Sequence, residues 1–123
     1  METSQHIEAS QRFLDDALAL ESTSSHMGAA EMIWGATVQA LEAIGHIRTG
    51  NATGNLSGNG RRRLAESVVS EGLLRYYRTQ QELHAHFYRG HLTSQVRTER
   101  MQQGREYVTE LLTVALSSGA DTD

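Results

Sequence analysis

Between residues 30 and 47, Ala30, Ile33, Trp34, Thr37, Ala40, Leu41, Ile44 and Ile47 recur at steps of three and four. An α-helix repeats every 3.6 residues, so this run is one apolar seam along about five turns. No segment of appreciable length alternates with the period of two that a half-buried strand needs. The chain has no proline, so nothing in it forbids long uninterrupted helices. It has no cysteine either, which removes disulfides and thiolate metal sites. Helix packing alone must hold the fold together, and 123 residues suffice for one core without staples. The expectation is a single domain over 1–123, all-α, an antiparallel bundle of four longer helices plus one short helix.

The other elements follow the same period. Ile7, Ser10, Phe13, Leu14, Ala17, Leu18 and Leu20 trace a stripe in the first helix, with Gln11, Arg12, Asp15 and Asp16 off it. "ESTSSHMG" interrupts, and Ser24 or Ser25 can cap the second helix, which ends near Gly50. Residues 49–60, "TGNATGNLSGNG", repeat Gly-Asn at 50, 54 and 58 and read as a flexible loop. This loop precedes the arginines of "RRRLAES", where an anion could sit, but it lacks the Walker lysine and follows a helix rather than a strand. Its two glycosylation sequons, at Asn51 and Asn55, read as accidents of composition. A short third helix covers 61–72, with Leu64, Val68 and Val69 as its apolar share. The fourth runs from Leu73 to Tyr88 and stops at Gly90. The fifth runs from Ser94 to Leu116 on Met101, Gly104, Val108, Leu111, Leu112 and Ala115, followed by an acidic tail over 117–123.

The N-terminal residues lack the basic-then-apolar pattern of a secretion signal. No run of about 18 apolar residues is present to span a membrane. A cytoplasmic protein with no membrane partner is expected. The net charge of −4 hides an asymmetry. Residues 1–60 hold seven acids and two arginines, whereas 61–110 hold six acids and nine arginines. Every basic side chain is arginine, as codon bias in a GC-rich genome would produce. Arginine's planar fork also suits phosphate and aromatic stacking better than lysine does. An acidic protein is a poor sequence-independent nucleic-acid binder, but a local arginine cleft remains compatible with it.

The densest stretch is "RYYRTQQELHAHFYRG", residues 75–90. At 100° per residue, Leu73, Tyr76, Gln80, Leu83 and Phe87 form its core seam. Tyr77, His84 and Tyr88 share a second face, and Arg75, Arg78, Glu82, His86 and Arg89 a third, where Arg78 and Glu82 can pair at i, i+4. His84 and His86 are about 200° apart on a regular helix, so they do not chelate together, and no metal site is read here.

Arg78-Thr-Gln-Gln-Glu-Leu-His84, with Tyr88 following, resembles the signature of the HEPN superfamily: an arginine, four to six residues, a histidine, and often an aromatic. "ELHAHFYRG" is similar to the Leu-His-x-Asn-Phe-Tyr segment of archaeal HEPN-like proteins, and "AAEMIWGATVQALEAI" to the family's second helix. Thr79 stands where the family has asparagine, aspartate or histidine, and His86 where archaeal members have asparagine. The resemblance implies a homodimer whose arginines and histidines face one cleft. It implies a metal-independent endoribonuclease without cofactors, often a toxin paired with a nucleotidyltransferase antitoxin. Arg78 and His84, with His86 as a possible substitute, are then the catalytic candidates. Arg75, Tyr77, Tyr88 and Arg89 are the candidates for binding RNA or a nucleotide. Arg78 and His84 lie about 240° apart on one regular helix, a separation that a dimer interface can close. Histidine, with an ordinary pKa of about 6.5, suits proton transfer at the 2′-hydroxyl, and arginine suits the phosphate. The alternative from the same resemblance is a non-catalytic adaptor that binds a nucleotide or a protein.

Overall fold

The computed structural model describes residues 2–21, 23, 25–50 and 57–118, and every regular element among them is helical. Most of the Gly/Asn-rich loop, the asparagines of both sequons, Ser24 and the last five residues of the acidic tail fall outside them. Helices α1 (Thr3–Glu21) and α2 (His26–Thr49) make an antiparallel hairpin, α3 (Gly58–Val68) is the short element, and α6 (Ser94–Ser117) closes the bundle. Between α3 and α6, α4 (Gly72–Tyr77), a π-helical stretch (Arg78–His84) and α5 (Ala85–Arg89) run on as one composite helix. Among the described residues the chain is therefore the all-α bundle expected, with four long rods and one short. No helix among the described residues is long and apolar enough to cross a membrane.

The α1–α2 contact shows how the sequence specifies the packing. Ile7 and Ala17 are buried there with Phe13 and Leu14 beside them. Between these apolar groups the Ser10 hydroxyl donates to the Ala36 carbonyl at 2.8 Å, and His6 Nδ1 meets Gln39 Oε1 at 2.6 Å. The Thr3 hydroxyl contacts His46 Nδ1. Buried polar groups of this kind are tolerated because each has a partner, and their pairing fixes the register of the hairpin.

Helix α2 is the central rod, packed against α1, α3, α5, α6 and the π-helical stretch. Its burial exceeds the single seam read from the sequence. Ala29, Ala36 and Ala43, seven residues apart, are fully buried as well and form a second face. A helix that is apolar most of the way round belongs inside a bundle. In α6 the anticipated stripe is buried in full, joined by Tyr107.

The helix stops read from glycine hold. Gly50 and Gly90 both adopt left-handed backbone (φ 69° and 59°), with their amides donating to the His46 and His86 carbonyls. The position before α2 is Ser25, whose side chain makes no cap bond. Helix α3 begins at Gly58, three residues before the expected start, because the Ser57 hydroxyl accepts the Gly60 amide at 3.0 Å as an N-cap.

The composite helix departs from the regular-helix reading. Tyr76, Thr79, Leu83 and His86 are buried, whereas Gln80 is half-buried and Phe87 is 39% exposed. Two causes are visible. The Ala85 amide donates to the Gln80 carbonyl five residues back, a wider ring than the α-helical one, and the Thr79 hydroxyl donates to the Arg75 carbonyl at 2.9 Å near where that stretch begins. His86 can replace Phe87 inside because both of its ring nitrogens find partners there. Glu82 does not pair with Arg78; it meets Arg100 of α6 at 2.6 Å. Leu18, placed on the α1 stripe by its spacing, is 54% exposed.

Candidate functional site

The π-helical stretch starts at Arg78 and ends at His84, the two residues that frame the motif. Its two ends face different neighbours. His84 turns toward α2, and Arg78 toward the groove between the composite helix and α6.

At His84 the imidazole is held on three sides. Nδ1 lies 3.0 Å from both carboxylate oxygens of Glu31. The Trp34 ring lies beneath it, with centroids 5.3 Å apart and an interplanar angle of 31°. Tyr88, one turn later, meets it edge-on at 5.3 Å and 90°. Glu31 and Trp34 are three apart on α2 and so share a face. Trp34 is itself 8% exposed and packed on Tyr76, which makes it a fixed floor. The His84 side chain stays 34% exposed, and among the described residues nothing partners its Nε2.

Arg78 is exposed and has no partner among the described residues. It borders a cleft of about 330 Å³ that also includes Arg75, Thr79, Arg100, Glu106 and Glu110. Arg75 is engaged by Glu110 at 2.5 Å and lies over the Tyr107 ring at 5.0 Å. Arg100 is engaged by Glu82. Three arginines and three glutamates, Glu71 included, thus balance around this cleft. Thr79, next to Arg78, is 3% exposed, and its hydroxyl proton is committed to the Arg75 carbonyl.

The remaining candidates separate. Tyr88 joins His84 and is 71% exposed. Tyr77 does not join that face, since Arg62 of α3 donates to its hydroxyl at 3.4 Å. Arg89 is exposed at the end of α5. His86, read as lying on the solvated arginine face, is fully buried. The Leu92 amide donates to its Nδ1 at 3.1 Å, so the neutral ring carries its proton on Nε2 and donates it to His26 Nδ1 at 3.1 Å. His91 stacks edge-on 5.8 Å away. Burial, and after it His26, His91 and Arg97, hold the His86 pKa below its ordinary value. A lone pair turned to an amide and a proton turned to His26 leave Nε2 unsuited to bind a metal. Among the described residues no three histidine or acidic side chains group as a metal site.

Sequence reasoning missed Glu31 and Arg100. A carboxylate set in the apolar run "AAEMIW" was a signal for Glu31, but which histidine it meets depends on how two helices rotate against each other. Comparisons of the chain with protein-family models, with curated proteins and with solved structures find no match.

Proposed function

We propose that the chain is the subunit of a homodimeric, metal-independent endoribonuclease of HEPN type, in which Arg78 of one protomer and His84 of its partner act on one phosphodiester. The observation that supports this reading best is the pairing of two unlike groups on one seven-residue stretch. Among the described residues, His84 has one ring nitrogen occupied by a carboxylate and the other open, and Arg78 is an exposed guanidinium without a partner. They face different sides of one helix, so a single protomer does not join them, and a two-fold related copy supplies the missing half. In the cleft so formed, His84 Nε2 takes the 2′-hydroxyl proton as that oxygen attacks phosphorus, and the proton then passes to the departing 5′-oxygen. Arg78 holds the non-bridging oxygens as charge builds on them. Tyr88 offers an exposed ring on which a splayed base can stack. A toxin role and a nucleotidyltransferase antitoxin rest on the resemblance alone.

The test is cleavage of total tRNA and a labelled single-stranded RNA in excess EDTA. Wild type is run beside Arg78→Ala, His84→Ala and His86→Ala, with far-UV circular dichroism on each. Removing either of the first two should lower cleavage at least about a hundredfold with helicity unchanged. His86→Ala should instead lower thermal stability, because its partners lose a buried hydrogen-bonded ring. Wild type that leaves both RNAs intact would favour the second reading, an adaptor. The charge-balanced cleft beside Arg78 favours a protein side chain over a polyanion in that case.

A further inference from the structure

Glu31 and His84 make a pair whose chemistry is more specific than an ion pair on a surface. A carboxylate only accepts hydrogen bonds, so a neutral imidazole facing it through Nδ1 must carry its proton there. Nε2 is then the basic nitrogen, and among the described residues it is the one left open. A histidine in water with no directing neighbour prefers the opposite tautomer, with the proton on Nε2 and the lone pair on Nδ1. Trp34 and Tyr88 pack the ring on two sides, and turning it over would lose both contacts between Nδ1 and the Glu31 oxygens. Glu31 pairs with no other described cation.

We infer that Glu31 is a positioning residue, which sets the tautomer of His84 and aims Nε2 outward as a proton acceptor. When Nε2 takes a proton, the Nδ1 proton stays on the ring and the Glu31 carboxylate faces the resulting imidazolium, with no second transfer needed. A buried or half-buried carboxylate that orients a histidine in this way commonly governs how well the ring works as a base. The tautomer does not depend on the nuclease reading; only its effect on cleavage rests on it.

The experiment reads the His84 ring nitrogens by long-range ¹H–¹⁵N correlation at pH 8, with His84→Gln used to assign the signals. Wild type should show protonated Nδ1 and unprotonated Nε2. Glu31→Gln, whose amide can donate to Nδ1, should shift the ring toward protonated Nε2, and Glu31→Asp should restore the wild-type pattern. In single-turnover cleavage, Glu31→Gln should be slower by about tenfold or more at unchanged RNA affinity, with Glu31→Asp recovering part of the loss. A wild-type ring protonated on Nε2, or a Glu31→Gln ring that matches wild type, overturns the inference. So does active wild type with equally active Glu31→Gln. If the ring behaves as stated but wild type cleaves no RNA, the nuclease reading fails and the positioning role of Glu31 stands.

Discussion

A methyl group at position 72 would land 1.9 Å from the carbonyl oxygen of Ala65. That atom belongs to the backbone of α3 and cannot swing aside, so the α3–α4 corner exists in this form because residue 72 is glycine. Glu71 just before it takes left-handed backbone (φ 55°), which tightens the same turn. Gly72→Ala should therefore lower stability by about 1–3 kcal/mol, measured by chemical denaturation, with α3 parting from α4. An unchanged midpoint would mean that the corner relaxes freely. At this scale the sequence is legible where one residue's own covalent chemistry decides, as at Gly50 and Gly90. It is silent at Gly72, because the demand comes from a carbonyl seven residues earlier.

At the scale of elements, the end of the composite helix depends on a neutral histidine. His86 joins three segments: its own helix, α2 through His26, and the turn before α6 through the Leu92 amide. Burial, and after it His26, His91 from that turn and Arg97 from α6, oppose its protonation. Because the folded state disfavours the proton, the unfolded chain binds it more readily, with the ordinary value of 6.5. The stabilisation is complete above that value and is lost as pH falls below it toward the lower folded value. Thermal melts should show a lower midpoint at pH 5.5 than at pH 7.5, and His86→Gln, which does not titrate there, should flatten the difference. Equal pH profiles for the two would contradict a neutral, hydrogen-bonded His86. The apolar period located this helix between Leu73 and Tyr88 but named Gln80 and Phe87 as core. The π-helical stretch and the two partners of His86 changed that choice, and those partners, His26 and the Leu92 amide, lie on other elements that the helix's own spacing does not see.

For the whole molecule, the absence of proline and the three-and-four periodicity left only a helical bundle, and that is the architecture observed. Ion pairs between Glu21 and Arg105 and between Arg75 and Glu110 tie the outer rods to α6, but as partly exposed pairs they add little to stability. The apolar interior around α2 does most of the holding, with each fully buried leucine or isoleucine side chain worth about 1.5–3 kcal/mol. This rigid interior puts Arg78 and His84 on different sides of one helix, and the sequence already implied that separation. What it left open was the support of His84 by Glu31 and Trp34, because rotation of α2 against the composite helix is set by the core as a whole. The proposed sharing of one cleft by Arg78 and His84 of two copies is tested by mixing Arg78→Ala and His84→Ala after each is purified and allowed to exchange subunits. Random re-pairing should give mixed dimers with one complete cleft and restore about a quarter of wild-type RNA cleavage in excess EDTA. A mixture as inactive as its two components, beside an active wild type, would contradict the shared cleft.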